Sequence, residues 1–409
     1  MSQYFDTLET RSEDQRAEDL ALALPAQFAR AKMLPGYART LSNVDPELVT
    51  SVEALAPLPV LRKSELSKAQ SLAGLMGGYA DLNRPGITHV FQSPGPIYEP
   101  GSNGADWFRF GRVLNAVGIG AGDIVQNCFS YHLTPAGIMF ESGARAVGAK
   151  VLPAGVGQTE MQVRAAADVG TTAYAGTPDY LKVILDKADE MGERLKIFKA
   201  TVGGGALFPS LRQEYADRGI TCLQGYGTAD LGSIAYESEA MEGMIIDEGV
   251  IVEIVTPGTG TPVAQGEVGE VVVTTLNPDY PLIRFATGDL SAVLPGQSPC
   301  GRTNMRIKGW MGRADQTAKI KGMFVRPEQV AALVARHDEV GKARVVATRN
   351  GEMDVMTVQI ESTGGDQDAY GASIAETLKL RGAVEIVAPG SLPNDGIVIE
   401  DRRVYDQAN

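Results

Sequence analysis

The feature that most constrains this chain is a regular alternation between residues 106 and 224. Short apolar runs at 123–129, 150–153, 171–175, 197–202 and 220–224 are separated by helix-length segments at 106–117, 135–147, 160–169, 178–190 and 209–218. That alternation predicts a parallel sheet with crossover helices. Between 249 and 294 the texture changes. Residues 250–256 and 270–275 read as strands around the turn-rich Pro257-Gly-Thr-Gly260. Strand after strand without helices predicts an antiparallel sheet or a small β-barrel. After about 315 the order is strand, helix, strand, strand, helix, strand, at 317–320, 327–336, 343–348, 355–360, 372–380 and 384–387. That is the split βαβ arrangement of a small α+β domain. The expected fold class is α/β: a large N-terminal α/β domain with a β-rich subdomain over 1–314, then a small C-terminal α+β domain over 315–409. At the start, residues 13–34 read as an amphipathic helix with Leu20, Leu24, Phe28 and Ala31 as its buried stripe. Pro25 leaves open whether this is one helix or two.

Bulk properties narrow the function. The 409 residues, 44% hydrophobic, suffice for two or three domains with a sizeable core. A net charge of −13 repels phosphate backbones and argues against a polybasic membrane surface. It leaves room for an anionic substrate in a local positive pocket. Cys128, Cys222 and Cys300 fit no zinc spacing and are too few for a disulfide framework, so reduced thiols in a cytoplasmic protein are expected. Residues 1–16 are polar and acidic, unlike a signal peptide, and no run approaches 18 apolar residues. His89, His132 and His337 have no metal-ligand spacing.

Four segments carry chemistry. The first is Gln92-Ser-Pro-Gly-Pro-Ile-Tyr-Glu-Pro100, after a short apolar run. Read alone it is a Pro-rich turn. The second pairs Gly203, Gly204 and Gly205 with Gln224-Gly-Tyr-Gly-Thr-Ala-Asp230, both at the carboxyl ends of expected strands, where open α/β sheets bind ligands. Glycines let a flat ring approach the backbone, and Tyr226, followed by Gly227 and Thr228, suits stacking on it. The third is Pro281-Leu-Ile-Arg-Phe-Ala-Thr-Gly-Asp289, whose closing carboxylate suits two adjacent hydroxyl donors. The fourth is Gly312-Arg-Ala-Asp-Gln-Thr-Ala-Lys-Ile-Lys-Gly322, which read alone is an inter-domain loop and strand.

In order and spacing these segments resemble those of the phenylacetate-CoA ligase branch of the adenylate-forming enzymes, from about residue 3 to 405. Tyr4-Phe-Asp-Thr-Leu-Glu9, Ser130-Tyr-His-Leu-Thr-Pro-Ala-Gly137, Gly155-Val-Gly-Gln-Thr-Glu160 and Thr177-Pro-Asp-Tyr180 add to the resemblance. It implies that ATP or AMP and CoA are bound, with Ser93 and Gly95 in the loop that cradles the phosphates. Tyr226 would lie on the adenine, Asp230 near Mg²⁺, Asp289 on the ribose and Arg313 on the nucleotide. Asp315 would be the hinge about which the small domain rotates, and Lys321 and Gly322 would lie near the pantetheine tunnel. Tyr131, His132, Ala136 and Gly137 would form the wall of the acyl pocket. The partners implied are a small-molecule carboxylate or acyl-CoA, without nucleic acid or membrane, and a homodimer is compatible with the branch.

The sequence also departs from the family pattern. Glu99 stands where the phosphate loop has lysine, and at ~4 Å like charges cost roughly several kcal/mol near a protein surface. Pro94 and Pro96 each remove an N–H donor. Ile397 occupies the place of the family's adenylation lysine, and an aliphatic chain cannot neutralise a reacting phosphate. Arg402 and Arg403 lie several residues further on. Ser238 and Ile245 stand where some members hold zinc, so no zinc is expected. Three readings follow: an ATP-dependent carboxylate–CoA ligase, a remodelled relative running the thioester half alone, or a non-catalytic ligand-binding protein.

Overall fold

The computed structural model describes residues 3–403 apart from 95, 206, 315, 317, 322, 351, 352 and 394–396, with the side chains of 319, 324 and 350 also left aside. Compact packing divides the chain into two units. The first holds residues up to 252, 273–287 and 294–310; the second holds 253–272, 288–293 and 311 onward.

In the first unit the expected alternation folds as a parallel sheet. Strands Thr221–Thr228, Lys199–Val202, Ala173–Gly176, Ile124–Asn127 and Lys150–Pro153 lie side by side in that order, all parallel. The crossovers are the helices Ala136–Ala146, Thr159–Val169, Pro178–Met191 and Pro209–Asp217. Short apolar strands suit this sheet because helices cover its faces. Val125, Ala173, Ala175 and Leu223 pack with Phe110, Phe129 and Phe140 into one core. Strand Thr221–Thr228 runs on past Gln224 and there takes an antiparallel partner, Gly232–Tyr236, with a register irregularity between Tyr226 and Gly227.

Two local differences from expectation have clear causes. The helix expected over 106–117 begins only at Gly111. Asp106 and Arg109 have left-handed backbones, at φ 46° and 65°. The Asp106 carboxylate accepts the Gly111 N–H at 2.9 Å, which fixes the start of the helix there. Conversely, Pro25 does not divide the first helix, which runs unbroken as Glu13–Lys32. Leu24, Phe28 and Ala31 are buried, and the Gln27 amide donates to the carbonyls of Thr275 and Asn277 at 2.8 Å each. Those tertiary contacts outweigh the hydrogen bond that proline removes.

In the second unit the expected helices and central strands form in order, but the strand expected at 317–320 pairs as Ala318–Ile320 with Met323–Val325 in a separate two-stranded sheet, and Ile399–Asp401 takes the outer place in the main one. A sheet of order Ala383–Val387, Met353–Ser362, Val340–Asn350, Ile399–Asp401 has an antiparallel central pair and parallel outer pairs. Helices Pro327–Val334 and Gln367–Thr377 cover it through Val330, Leu333, Tyr370 and Ile374. Strands Val250–Val255, Gly269–Thr275 and Phe285–Ser291, which answer to the β-rich stretch, belong to a four-stranded sheet with Leu61–Arg62. Among the described residues no helix is long and apolar enough to cross a membrane, and the three cysteines are free and buried.

Candidate active site

The first unit gathers four of the sequence-identified segments around the carboxyl ends of its parallel strands. Gly203 follows strand Lys199–Val202, and a Cβ there would lie 2.9 Å from the Gly225 carbonyl on the neighbouring strand. Gly204 has φ +69°, a left-handed backbone that glycine adopts without strain. Its nearest side chains are Phe129 and Thr177. Gly205 has Pro178 at 3.4 Å from its Cβ position. Close backbone approach therefore requires glycine at 203 and the left-handed backbone favours it at 204, while a Cβ at 205 would make an ordinary contact. A Cβ at Gly227 would meet the Gly232 carbonyl at 2.5 Å. Between these glycines Tyr226 is half-buried, its hydroxyl 3.2 Å from Thr287 Oγ1. Thr228 Oγ1 accepts the Leu231 N–H at 3.2 Å and fixes the turn that holds Asp230.

Asp230 is buried and ion-paired. Lys63 Nζ lies 2.8 Å from its Oδ2, while Oδ1 is buried without a hydrogen-bond partner. Lys63 opens the helix Lys63–Ala73. The same helix presents Gln70, which exchanges two hydrogen bonds with the backbone of Tyr98, at 2.7 and 2.9 Å. Tyr98 belongs to a hairpin, His89–Ser93 paired antiparallel with Ile97–Gly101, and this hairpin is the segment expected to cradle phosphate.

Glu99 corrects one expectation. It does not present a negative charge to a ligand: its side chain is fully buried inside the hairpin, and the Ser93 hydroxyl donates to its Oε1. Its other oxygen has no partner. Burial above all, then the nearby Asp230 carboxylate, pushes the Glu99 carboxyl up to about 8, so it is neutral at neutral pH. What the hairpin lacks is a cation, not room from a repelling charge. Ser93 is buried too, its hydroxyl committed to Glu99. Gly95 lies outside the described residues.

The wall segment forms at the end of strand Ile124–Asn127. Asn127 Nδ2 donates to both Tyr131 Oη and the Gly137 carbonyl, each at 2.8 Å. The Tyr131 ring lies so close to Gly137 that a Cβ there would come within 2.7 Å of it. Ala136 starts the helix behind them. His132 is not brought into this wall. It is exposed, and its ring makes no hydrogen bond among the described residues, because the Ser130 hydroxyl accepts its backbone N–H and turns the chain outward. The Gln92 N–H donates to the Leu133 carbonyl at 2.9 Å, which ties the wall to the hairpin.

In the second unit Asp289 and Arg313 meet. They form an isolated antiparallel bridge, and Arg313 Nη1 lies 3.1 Å from Asp289 Oδ1. Leu290 N–H to Gly312 O and Ala314 N–H to Gly288 O, at 2.9 and 2.6 Å, hold the two segments in register. Gly288 has φ +75°, and a Cβ there would strike the Arg313 guanidinium. Lys321 sits on a left-handed turn between strands Ala318–Ile320 and Met323–Val325, its N–H bonded to Asp354 Oδ2 at 2.9 Å. Asp315 and Gly322 lie outside the described residues. Ile397 is at the surface, at 36% exposure. Arg402 pairs with Glu400 at 2.7 Å, and Arg403 with Asp401 and Asp354 at 2.6 and 2.9 Å. Both arginines are neutralised by local carboxylates.

Sequence reasoning missed Lys63, Gln70 and Phe129 as neighbours of these segments. Lys63 and Asp230 are 167 residues apart, and no local pattern links them. Glu9 was noted only as part of an N-terminal motif. The fold buries it, where it accepts from Arg302 Nε at 2.7 Å and from the Tyr236 hydroxyl at 2.5 Å.

No family model matches the chain. A phenylacetate-coenzyme A ligase from Thermus thermophilus is 29% identical over 347 residues, 80% of this chain and 77% of the relative. The enzyme of the same name from Aromatoleum evansii is 28% identical over 350 residues, again 80% and 77%. That of Escherichia coli K12 is 30% identical over 263 residues, 61% and 59%. Among solved structures, an open conformation of 2-hydroxyisobutyryl-CoA ligase in complex with 2-HIB-AMP and CoA superposes with a TM-score of 0.72 at 23% identity, covering 96% of this chain and 92% of that one. It supports the fold.

Proposed function

We propose that this chain, similar to phenylacetate-CoA ligases over about four-fifths of its length, is a carboxylate–CoA ligase of the adenylate-forming kind with its nucleoside-binding groups kept and its phosphate-handling groups dismantled. In that reaction a carboxylic acid and ATP give an acyl-adenylate and pyrophosphate. The thiol of CoA then displaces AMP and leaves the acyl-CoA thioester. The observation that carries the reading is the Asp289–Arg313 pair. A carboxylate at Asp289 suits ribose hydroxyls, and the half-exposed guanidinium of Arg313 suits an adenylate phosphate. Tyr226, between its glycines, is our choice for the adenine face. Tyr131, Ala136 and Gly137 are our choice for the wall against the acid, and Lys321 for the side of CoA entry.

Asp230 does not fit a divalent cation well, since Lys63 already neutralises it at 2.8 Å and its side chain is fully buried. A second reading, that only the thioester half runs, is favoured by Ile397 and by the commitment of Arg402 and Arg403 to carboxylates. The two readings share every residue named above except those facing the β- and γ-phosphates.

Calorimetric titration with AMP and ATP tests the proposal. AMP binds, ATP binds no more tightly, and Asp289→Ala weakens AMP by about tenfold or more, the worth of a hydrogen bond to a charged group. ATP binding at least about tenfold tighter than AMP would mean that the phosphate groups are still recognised. No binding of either nucleotide would remove the ligase reading altogether.

A further inference from the structure

We propose that the first unit carries a second ligand site, for a small organic anion with an apolar body, in the hollow between helix Lys63–Ala73 and the turn at Arg39. The hollow has a volume of about 330 Å³ and shares no lining residue with the candidate active site. That volume suits one small molecule.

In a chain of net charge −13, two basic side chains, Arg39 and Lys68, line this hollow. Both are exposed, and among the described residues neither side chain has a hydrogen bond or an ion pair. A third donor stands with them. The Tyr79 hydroxyl has no partner among the described residues, and burial, followed by the Glu65 carboxylate, raises its pKa, so it stays a proton donor. Glu65 also lines the hollow; its Oε2 accepts the Arg62 N–H at 3.1 Å as the capping residue of the helix, and its carboxylate offsets one of the two cations, so the lining is positive by a single charge.

The floor is apolar and rigid. Leu61 and Ile283 are buried, and the Tyr37 ring meets Tyr79 edge-on at 4.9 Å, with its own hydroxyl fixed by the Pro281 carbonyl and the Ile283 N–H. At the rim Leu72 is 78% exposed. Residues 65, 68 and 72 fall at helical spacing on one face, which explains how one helix brings a charge and an uncovered apolar side chain to the same opening. Two cations and a phenol over an apolar floor fit a carboxylate, sulfonate or phosphate monoester on an aromatic or aliphatic body.

The test is calorimetry on the full chain with naphthalene-2-sulfonate, which has no carboxyl group to activate. Naphthalene-2-sulfonamide serves as its uncharged control. We expect saturable one-to-one binding, weakened about tenfold or more by high salt and by the Arg39→Ala/Lys68→Ala double variant, and about tenfold weaker for the sulfonamide. Both side chains are exposed, so the variant melts with the wild type. Tyr226→Ala leaves the binding unchanged. The proposal falls if the sulfonate does not saturate, if the sulfonamide binds equally well, or if Tyr226→Ala rather than the double variant removes the binding.

Discussion

A carboxyl group withdrawn from water either pairs with a cation or keeps a proton. Asp230 takes the first course with Lys63. Glu99 takes the second, with its carboxyl raised to about 8 against an ordinary value of 4.5. The folded chain then holds one more proton than the unfolded chain between those two values. Glu99's contribution to stability is complete below about pH 4.5 and is lost as the pH rises through about 8. Asp106, raised to about 6 mainly by burial, acts in the same direction but over a lower window. Chemical denaturation from about pH 6.5 to 9 therefore isolates Glu99. Glu99→Gln should flatten the decline and be the more stable protein at the alkaline end, by on the order of 2 kcal/mol. A variant with the same slope as wild type would show that Glu99 is ionised throughout. The sequence marked Glu99 as a substitution for lysine but gave it the wrong consequence. Burial is a property of the hairpin, and nothing in residues 92–100 states which way a strand faces.

At the scale of elements, the parallel strands with their crossover helices were legible, because hydrophobic period and turn residues act locally, whereas short strands such as Gly232–Tyr236, Phe285–Ser291 and Ile399–Asp401 were not. Two other misses were tertiary: Gln27 and its buried neighbours hold the first helix straight through Pro25, and Asp106 delays a helix by five residues. Helix Lys63–Ala73 is the element whose role was least visible. Its Lys63 and Gln70 fasten the turn after strand Thr221–Thr228 and the hairpin to one support. Replacing Lys63 with Met leaves a buried carboxylate without its cation. Such losses cost about 3–5 kcal/mol when fully enclosed, and we discount this one to about 2 kcal/mol because Lys63 is itself 35% exposed. Asp230→Asn in the same chain should restore most of that loss in a double-mutant cycle followed by urea unfolding. No recovery would mean that the lysine acts through packing.

For the whole molecule, the proposed reading gives the nucleoside to the glycine strand ends and Tyr226 of the first unit and, separately, to the Asp289–Arg313 bridge of the second, while several polar groups of the altered segments are committed to one another. Ser93 is tied to Glu99, Lys63 to Asp230, Arg402 to Glu400 and Arg403 to Asp401. Ile397→Lys should therefore raise pyrophosphate release from ATP by less than about tenfold, since one lysine does not rebuild the hairpin. The most direct test of the account is to measure acyl-CoA formation twice on one preparation: from phenylacetate with ATP and CoA, and from preformed phenylacetyl-adenylate with CoA. The account predicts thioester from the adenylate at a rate about a hundredfold or more above that from acid and ATP. Equal rates, or a faster reaction from acid and ATP than from the adenylate, would contradict it.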